Sequence, residues 1–191
     1  QDLFIKMPAG NGFVFGNPKL DWGYSTVPQK SLDNRSIYLA RGKALGGSSI
    51  VNGMMYMRGV SADYDQWRQN GLPGWSYAEL LPYFKRAEGA KHREGPYHGT
   101  SGPLKIEESV NFGVIDKAFI KAAIASGHTQ LNDFNADGRT GVGRSDSTVS
   151  RGVRQSSAIA YLKKRHRNLK VLTHRHISKI VFEQKRAIGI E

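Results

Sequence analysis

Gly46, Gly47, Ser48, Ser49 and Asn52 bring a glycine pair, two hydroxyls and an amide into one compact turn, followed directly by Gly53, Met54 and Met55. Glycines without a Cβ let the backbone take positive φ and come close to a ligand, and the neighbouring polar side chains supply hydrogen bonds. A short helix starting near Ser48 would turn free N–H groups and its positive dipole end toward the same ligand. The chemistry served by such a turn is the holding of a large anionic cofactor. Glycine-serine turns also occur in plain loops, so the flanking sequence has to decide between the two.

The elements around the turn follow from local signals. The first forty residues are rich in Gly, Pro and Asn and read as an extended, loop-rich arm. Ser61 to Trp67 carries a hydroxyl and early acids that favour a short helix, with Asp63, Asp65 and Trp67 in structural roles. Ser76 and Glu79 have capping-box spacing, and Tyr77, Leu81 and Phe84 share one face of a helix up to about Glu88. Gly89 to Gly102 reads as an exposed loop, and Leu104 to Glu107 as a strand with one buried face. Val114, Ala118, Phe119, Ala122 and Ala123 recur at helix spacing, with Gly127 placed to end the run. Asn132 to Gly143 is a turn-rich crossing. Ser156 to Leu162 is expected to be helical, followed by short strands at about 169–173, 177–183 and 186–190.

Composition narrows the class. With 191 residues, 39% hydrophobic and 23% charged, the chain has the balance of a globular protein with one or two small domains. It has no apolar run near the roughly 20 residues needed to span a bilayer. Having no cysteine, it excludes disulfides, thiolate metal sites and cysteine nucleophiles. The formal charge of +12 raises the prospect of a polyanionic partner. Much of it lies in one stretch, Lys163 to Arg167 with Lys170, Arg175 and Lys179, which also suits a solvated helix end.

The continuation of the turn is ordered. Asp21-Trp22-Gly23-Tyr24 and Pro28-Gln29 precede it; Val60 to Trp67, Gly74 to Tyr77 and Leu81 to Lys85 follow. Then come His98-Gly99, Gly102-Pro103-Leu104, Gly152 to Ala158 with Tyr161-Leu162, Asn168 to Val171, and Ala187 to Glu191. In this order the chain resembles the glucose-methanol-choline (GMC) oxidoreductases, FAD enzymes that oxidise alcohols, and the resemblance covers nearly the whole sequence.

The resemblance implies a mixed α+β or α/β fragment: part of a Rossmann-like FAD-binding domain plus part of the substrate-binding domain. Residues 1–60 would be an FAD-domain segment with the flavin loop, 61–150 a mostly helical linking and substrate-domain segment, and 151–191 a helix and β-meander of the FAD domain. It implies that Gly46, Gly47, Ser48 and Ser49 approach the diphosphate and flavin side of FAD. Asn52, Gly53, Met54 and Met55 would lie along the isoalloxazine, and the Ile177 backbone would meet the adenine. Arg41 would contact the cofactor or an acidic neighbour, and Arg58 is ambiguous in the same way with a stabilising role favoured. Val51 stands where some members carry a FAD-linking histidine, so noncovalent FAD is implied.

The resemblance also implies that the dinucleotide Gly-x-Gly-x-x-Gly turn and the catalytic histidine fall outside these residues. The chain is then expected to be an internal fragment that needs the remainder of its parent and is inactive alone. None of His92, His98, His128, His166, His174 and His176 matches the catalytic position. His174 and His176 could share one face of a strand, but no third ligand accompanies them, so no metal is expected. Arg154, Ser156, Ser157, Ala158 and Tyr161 form a cluster that reads either as a neighbour of the cofactor or as a helix cap with an aromatic anchor. The expected partners are a small-molecule alcohol and an electron acceptor, oxygen or quinone-like, without nucleic acid. The competing class is a non-catalytic basic module of the same descent that binds a polyanion.

Overall fold

The computed structural model describes residues 2–109, 113–136, 140–163 and 167–191. The chain opens with two one-turn helices, α1 (Leu3–Lys6) and α2 (Asn11–Val14), where the composition points to an extended arm. Two causes override that expectation. The Asp2 carboxylate accepts the Phe4 N–H at 2.8 Å and caps α1, and Ile5 and Val14 bury themselves against Ile50 and Val51 of the glycine turn. Helices this short are marginal in water, so burial is what keeps them. The turn therefore sits on the small apolar core that its own Ile50 and Val51 help to make.

The arm continues through a two-residue antiparallel ladder, Tyr24–Ser25 with Tyr38–Leu39. Asp21 organises this part. Its buried carboxylate accepts the N–H groups of Gly16, Gly23 and Arg41 at 3.0 to 3.1 Å and the hydroxyl of Tyr38. Burial alone would push Asp21 up, but the Tyr38 hydroxyl and the three N–H donors outweigh it and hold the carboxyl well below the usual carboxylate range.

The helices predicted downstream are present: α3 (Ser61–Gln69), α4 (Tyr77–Ala87), α5 (Val114–Ala125) and α6 (Ser157–Leu162). Ser76 and Glu79 form the capping box of α4. Tyr64 packs its ring against Trp67, Tyr77 and Phe84, joining α3 to the expected face of α4. Gly127, at φ 91°, follows α5. The strand expected at Leu104 to Glu107 is split: Leu104–Lys105 pairs with Glu88–Gly89, and Glu107–Glu108 joins Met55–Tyr56 on either side of Asp146–Ser147. This three-stranded sheet carries the chain leaving the turn.

Near the end, Ile180–Glu183 pairs antiparallel with Arg186–Ile190. Residues 169–173, expected to be a third strand, pair in no ladder among the described residues. Apolar and β-branched residues favour a strand but do not supply a neighbour to pair with. Ile180, Phe182, Ile188 and Ile190 are exposed on the hairpin, and two strands alone are marginal in water. Lys164, Arg165 and His166, the centre of the basic stretch, lie outside the described residues. Among the described residues, no helix is long and apolar enough to cross a membrane.

Candidate flavin-loop site

Gly46 and Gly47 both have left-handed backbone, at φ 108° and 53°, and turn the chain into one 3-10 turn, Gly47–Ile50. The two glycines face opposite ways. A Cβ on Gly46 would lie 3.2 to 3.3 Å from Ile50, Ser49 and Ser156, whereas one on Gly47 or on Gly53 would meet nothing within 4 Å. Gly46 closes the turn against the protein, and Gly47 and Gly53 keep its outer surface bare. The Ser49 hydroxyl donates to the Gly46 carbonyl at 2.5 Å and accepts the Ser157 N–H at 2.9 Å; the Ser157 hydroxyl reaches the same carbonyl at 3.0 Å. The N-terminal end of α6 is thereby stapled to the turn.

Beyond the turn, the Asn52 side chain accepts the Met54 N–H at 3.2 Å. Met54 itself has φ 63°, a conformation that costs a non-glycine residue about 1 kcal/mol or more. The Met54 carbonyl accepts the N–H of Thr148 at 2.8 Å, which fixes this bend to the three-stranded sheet. Met55, next in line, is 65% exposed. The outer face of 47–55 thus combines bare glycine backbone, polar side chains and thioether surface on one ledge.

Behind the ledge lies Arg154, 1% exposed. Its guanidinium donates to the Asn52 carbonyl at 2.7 Å, the Asn52 side-chain oxygen at 2.9 Å, the Ser49 carbonyl at 3.4 Å and the Asn11 side-chain oxygen. All of these acceptors are neutral. Burial pushes the Arg154 guanidinium down from its ordinary value.

A second buried cluster flanks the ledge on the far side of Tyr56. Arg58 pairs with Glu88 at 2.6 Å and donates to the Tyr97 carbonyl at 2.8 Å. The other Glu88 oxygen meets His98 Nδ1 at 3.0 Å, and His98 Nε2 meets Asp133 at 2.6 Å. The hydrogen bond to Glu88, aided by Asp133, raises the His98 pKa against the opposing effect of burial. Close by, Asp146 takes a bidentate pair from Arg93 at 2.9 and 3.0 Å and a contact from His92 at 2.9 Å. Burial favours its neutral form, but Arg93 and His92 prevail and hold its carboxyl below the usual range. The loop 89–102, expected to be exposed, is therefore anchored: His98 is buried, and a Cβ on Gly99 would fall 1.8 Å from the Lys85 carbonyl.

Of the residues singled out in the sequence, Gly47, Ser48, Asn52, Gly53, Met54 and Met55 run along this outer stretch, whereas Gly46 and the Ser49 hydroxyl are turned toward the protein, against Ile50, Ser156 and Ser157. Arg41 leads into it; its N–H is taken by Asp21, while its guanidinium is exposed and bonded to the Ala40 carbonyl. Ile177 lies in irregular backbone and is exposed. Its neighbour His176 packs edge-on to Trp22, itself covered by Lys43, so this segment meets the arm leading to the turn. His174 has φ 56° rather than the strand geometry that would align it with His176. Arg58 is turned into the Glu88 cluster, on the Glu88 carboxylate and the Tyr97 carbonyl. Asp63 and Asp65 are structural, accepting the N–H groups of Val60 and Tyr77 at 3.0 Å. The partner sets of Arg154, Glu88, His98 and Asp146 join segments far apart in sequence, and no local spacing announces them.

The ledge lies on a fold of mixed helix and short paired strands. The sequence profile of the GMC oxidoreductase family matches residues 20–191, and the chain belongs to that family, whose members are FAD-dependent oxidoreductases acting on CH–OH donors. Among curated proteins it is 40% identical over 188 residues to the oxygen-dependent choline dehydrogenase of Brucella anthropi, covering 98% of this chain and 34% of that one. Among solved structures it is similar to pyridoxine 4-oxidase from Mesorbium loti, with a TM-score of 0.90 and 31% identity over 100% of this chain and 38% of that one. An FAD-dependent oxidoreductase from Chaetomium thermophilum follows at TM-score 0.85 and 28% identity, covering 99% of this chain and 34% of that one. The chain spans about a third of the length of the curated relatives it matches.

Proposed function

We propose that this chain is the flavin-cradling part of an FAD-dependent oxidoreductase that converts an alcohol to an aldehyde or ketone. The observation that carries the reading is the outward-facing, Cβ-free backbone of Gly47 and Gly53 beside Ser48 and Asn52. A dinucleotide with a diphosphate and a planar ring needs close backbone approach, donors and a flat partly apolar surface. Gly46, Gly47, Ser48 and Ser49 would serve the diphosphate side, with Arg41 nearby. Asn52, Gly53, Met54 and Met55 would border the isoalloxazine, and the Ile177 backbone would meet the adenine. Val51 is buried in the core beneath the turn and is no candidate for a covalent link, which supports noncovalent binding.

FAD, when bound, would accept the hydride leaving the alcohol carbon, and the hydroxyl proton would go to the catalytic histidine that the family likeness places outside these residues. The residues of this chain would hold and orient the flavin, and the side chains of Met54 and Met55 would limit the access of water to it. Oxygen or a quinone-like acceptor would then take the electrons. Residues 1–60 and 151–191 would act together as the cofactor-binding unit, with 61–150 leading toward the substrate; the bonds from Arg154 and Ser157 to the 46–52 turn support that grouping. The family likeness favours this reading over a polyanion-binding module.

Gly47→Leu tests it in the full-length protein. The side chain would enter the open space in front of the turn, and flavin retained per folded molecule should fall at least about tenfold, as the loss of some 1.4 kcal/mol of binding would produce. Equal flavin content, read from absorbance against folded protein by circular dichroism, would overturn the assignment.

A further inference from the structure

Arg154 is a buried cation for which, among the described residues, no carboxylate is a partner: the acceptors of its guanidinium are the oxygens of Ser49, Asn52 and Asn11, and its Nε has none. Elsewhere in this chain the largely covered guanidinium groups of Arg58 and Arg93 each sit on a carboxylate. An ion withdrawn from water without a counter-ion is expensive, and neutral dipoles offset only part of that cost. Such an arrangement is at home where a negative charge arrives from outside the protein.

The bonds of Arg154 also fix a direction. The described peptide bonds include no cis bond, and in a trans peptide the carbonyl and the following N–H point opposite ways. With the Asn52 carbonyl drawn to Arg154 at 2.7 Å, the Gly53 N–H points away from the guanidinium, toward the outer surface. Gly53 is exposed, and among the described residues its N–H has no acceptor. A free donor thus faces outward with an uncompensated positive charge directly behind its peptide unit.

We propose that Arg154 is a positioning residue for the flavin, which aims the Gly53 N–H at the isoalloxazine and places a fixed positive charge behind it, favouring the ring once reduction has given it negative charge. The inference rests on the FAD reading above. Oxidised isoalloxazine is neutral, so the buried charge acts mainly on the reduced form and raises the reduction potential. Arg154 touches the loop and not the cofactor; it works through the Asn52–Gly53 peptide.

The test is the two-electron midpoint potential of bound FAD in the full-length protein, alongside the dissociation constant for oxidised FAD. Arg154→Gln should lower the potential by about 30 mV for each tenfold loss of preference for the reduced form, with a smaller change in affinity for oxidised FAD. Arg154→Lys should restore much of the potential. Asn11→Asp guards against a folding failure: it sets a carboxylate on the guanidinium, neutralising the charge while Arg154 keeps its hold on Asn52, at the cost of the 3.3 Å bond from Asn11 to the Asn52 carbonyl. Its potential should fall as well. An unchanged potential in Asn11→Asp, or in a folded, flavin-loaded Arg154→Gln, overturns the inference. If the unsubstituted protein takes up no FAD, the cofactor reading itself fails.

Discussion

The turn at 46–55 and the cluster around Glu88 are built from opposite materials. The turn is held by hydroxyls, carbonyls and amides, the buried Arg154 behind it meets only neutral oxygens among the described residues, and Gly47 and Gly53 look onto open space. Around Glu88 the cations Arg58 and Arg93 and the imidazoles of His98 and His92 meet carboxylates, and Gly89, Gly99 and Gly102 are walled in by backbone. The difference separates a surface made to receive something from a scaffold already balanced within the protein. Tyr56, whose ring lies under the Arg58 guanidinium, joins the end of the turn to that scaffold.

The largest effect should come from breaking the balanced side. Glu88→Ala leaves Arg58 buried without its carboxylate and strips His98 of one partner, and should cost about 3–5 kcal/mol of folding stability in chemical denaturation. A loss below about 1 kcal/mol would mean that the cluster is more hydrated than its burial indicates. A glycine pair sharpens the contrast at smaller scale. Gly99→Ala drives a Cβ to within 1.8 Å of the Lys85 carbonyl, a backbone clash that should cost about 1–3 kcal/mol. Gly53→Ala has nothing within 4 Å to meet and no positive φ to strain it. Its stability should stay within about 0.5 kcal/mol of the parent, while FAD affinity declines. The reverse ranking, with Gly53→Ala the less stable, would erase the distinction between the two regions.

The sequence made one region readable and hid the other for a physical reason. A glycine pair with adjacent hydroxyls is a local pattern whose geometry follows from the residues themselves, as is the Ser76–Glu79 box at the start of α4. The cluster depends on long-range pairings: Arg58 finds Glu88 across 30 positions and His98 finds Asp133 across 35. A histidine between glycines and charges reads as solvent-exposed until the fold closes over it. Arg154 shows the same limit, since its bonds to Asn52 and Asn11 span 102 and 143 positions. The arm erred in the other direction, because its two short helices owe their existence to burial of Ile5 and Val14 and not to helix propensity. Residues 169–173 are rich in apolar and β-branched residues, and pairing is a property of the neighbour as much as of the segment.

The smallest expected effect distinguishes the regions by pH. His98 has a folded pKa raised above its unfolded value, chiefly by its bond to Glu88 and then by Asp133. Its contribution is therefore fully present below the unfolded value of about 6.5 and fades as pH rises through the folded pKa. Asp146, lowered by Arg93 and His92, behaves oppositely: its contribution is present above the unfolded value of about 3.9 and fades as pH falls through its folded pKa. On the alkaline side of 6.5, stability should decline with a slope of at most about 1.4 kcal/mol per pH unit, the limit set by one proton. His98→Gln keeps a donor for one carboxylate but cannot titrate, so its profile should be flatter there while the acid limb from Asp146 survives. The groups facing His98 are Glu88, Asp133 and, across Glu88, Arg58. A decline of equal slope in His98→Gln would assign the titration to another group and remove the imidazole from the balance that keeps this side of the molecule closed.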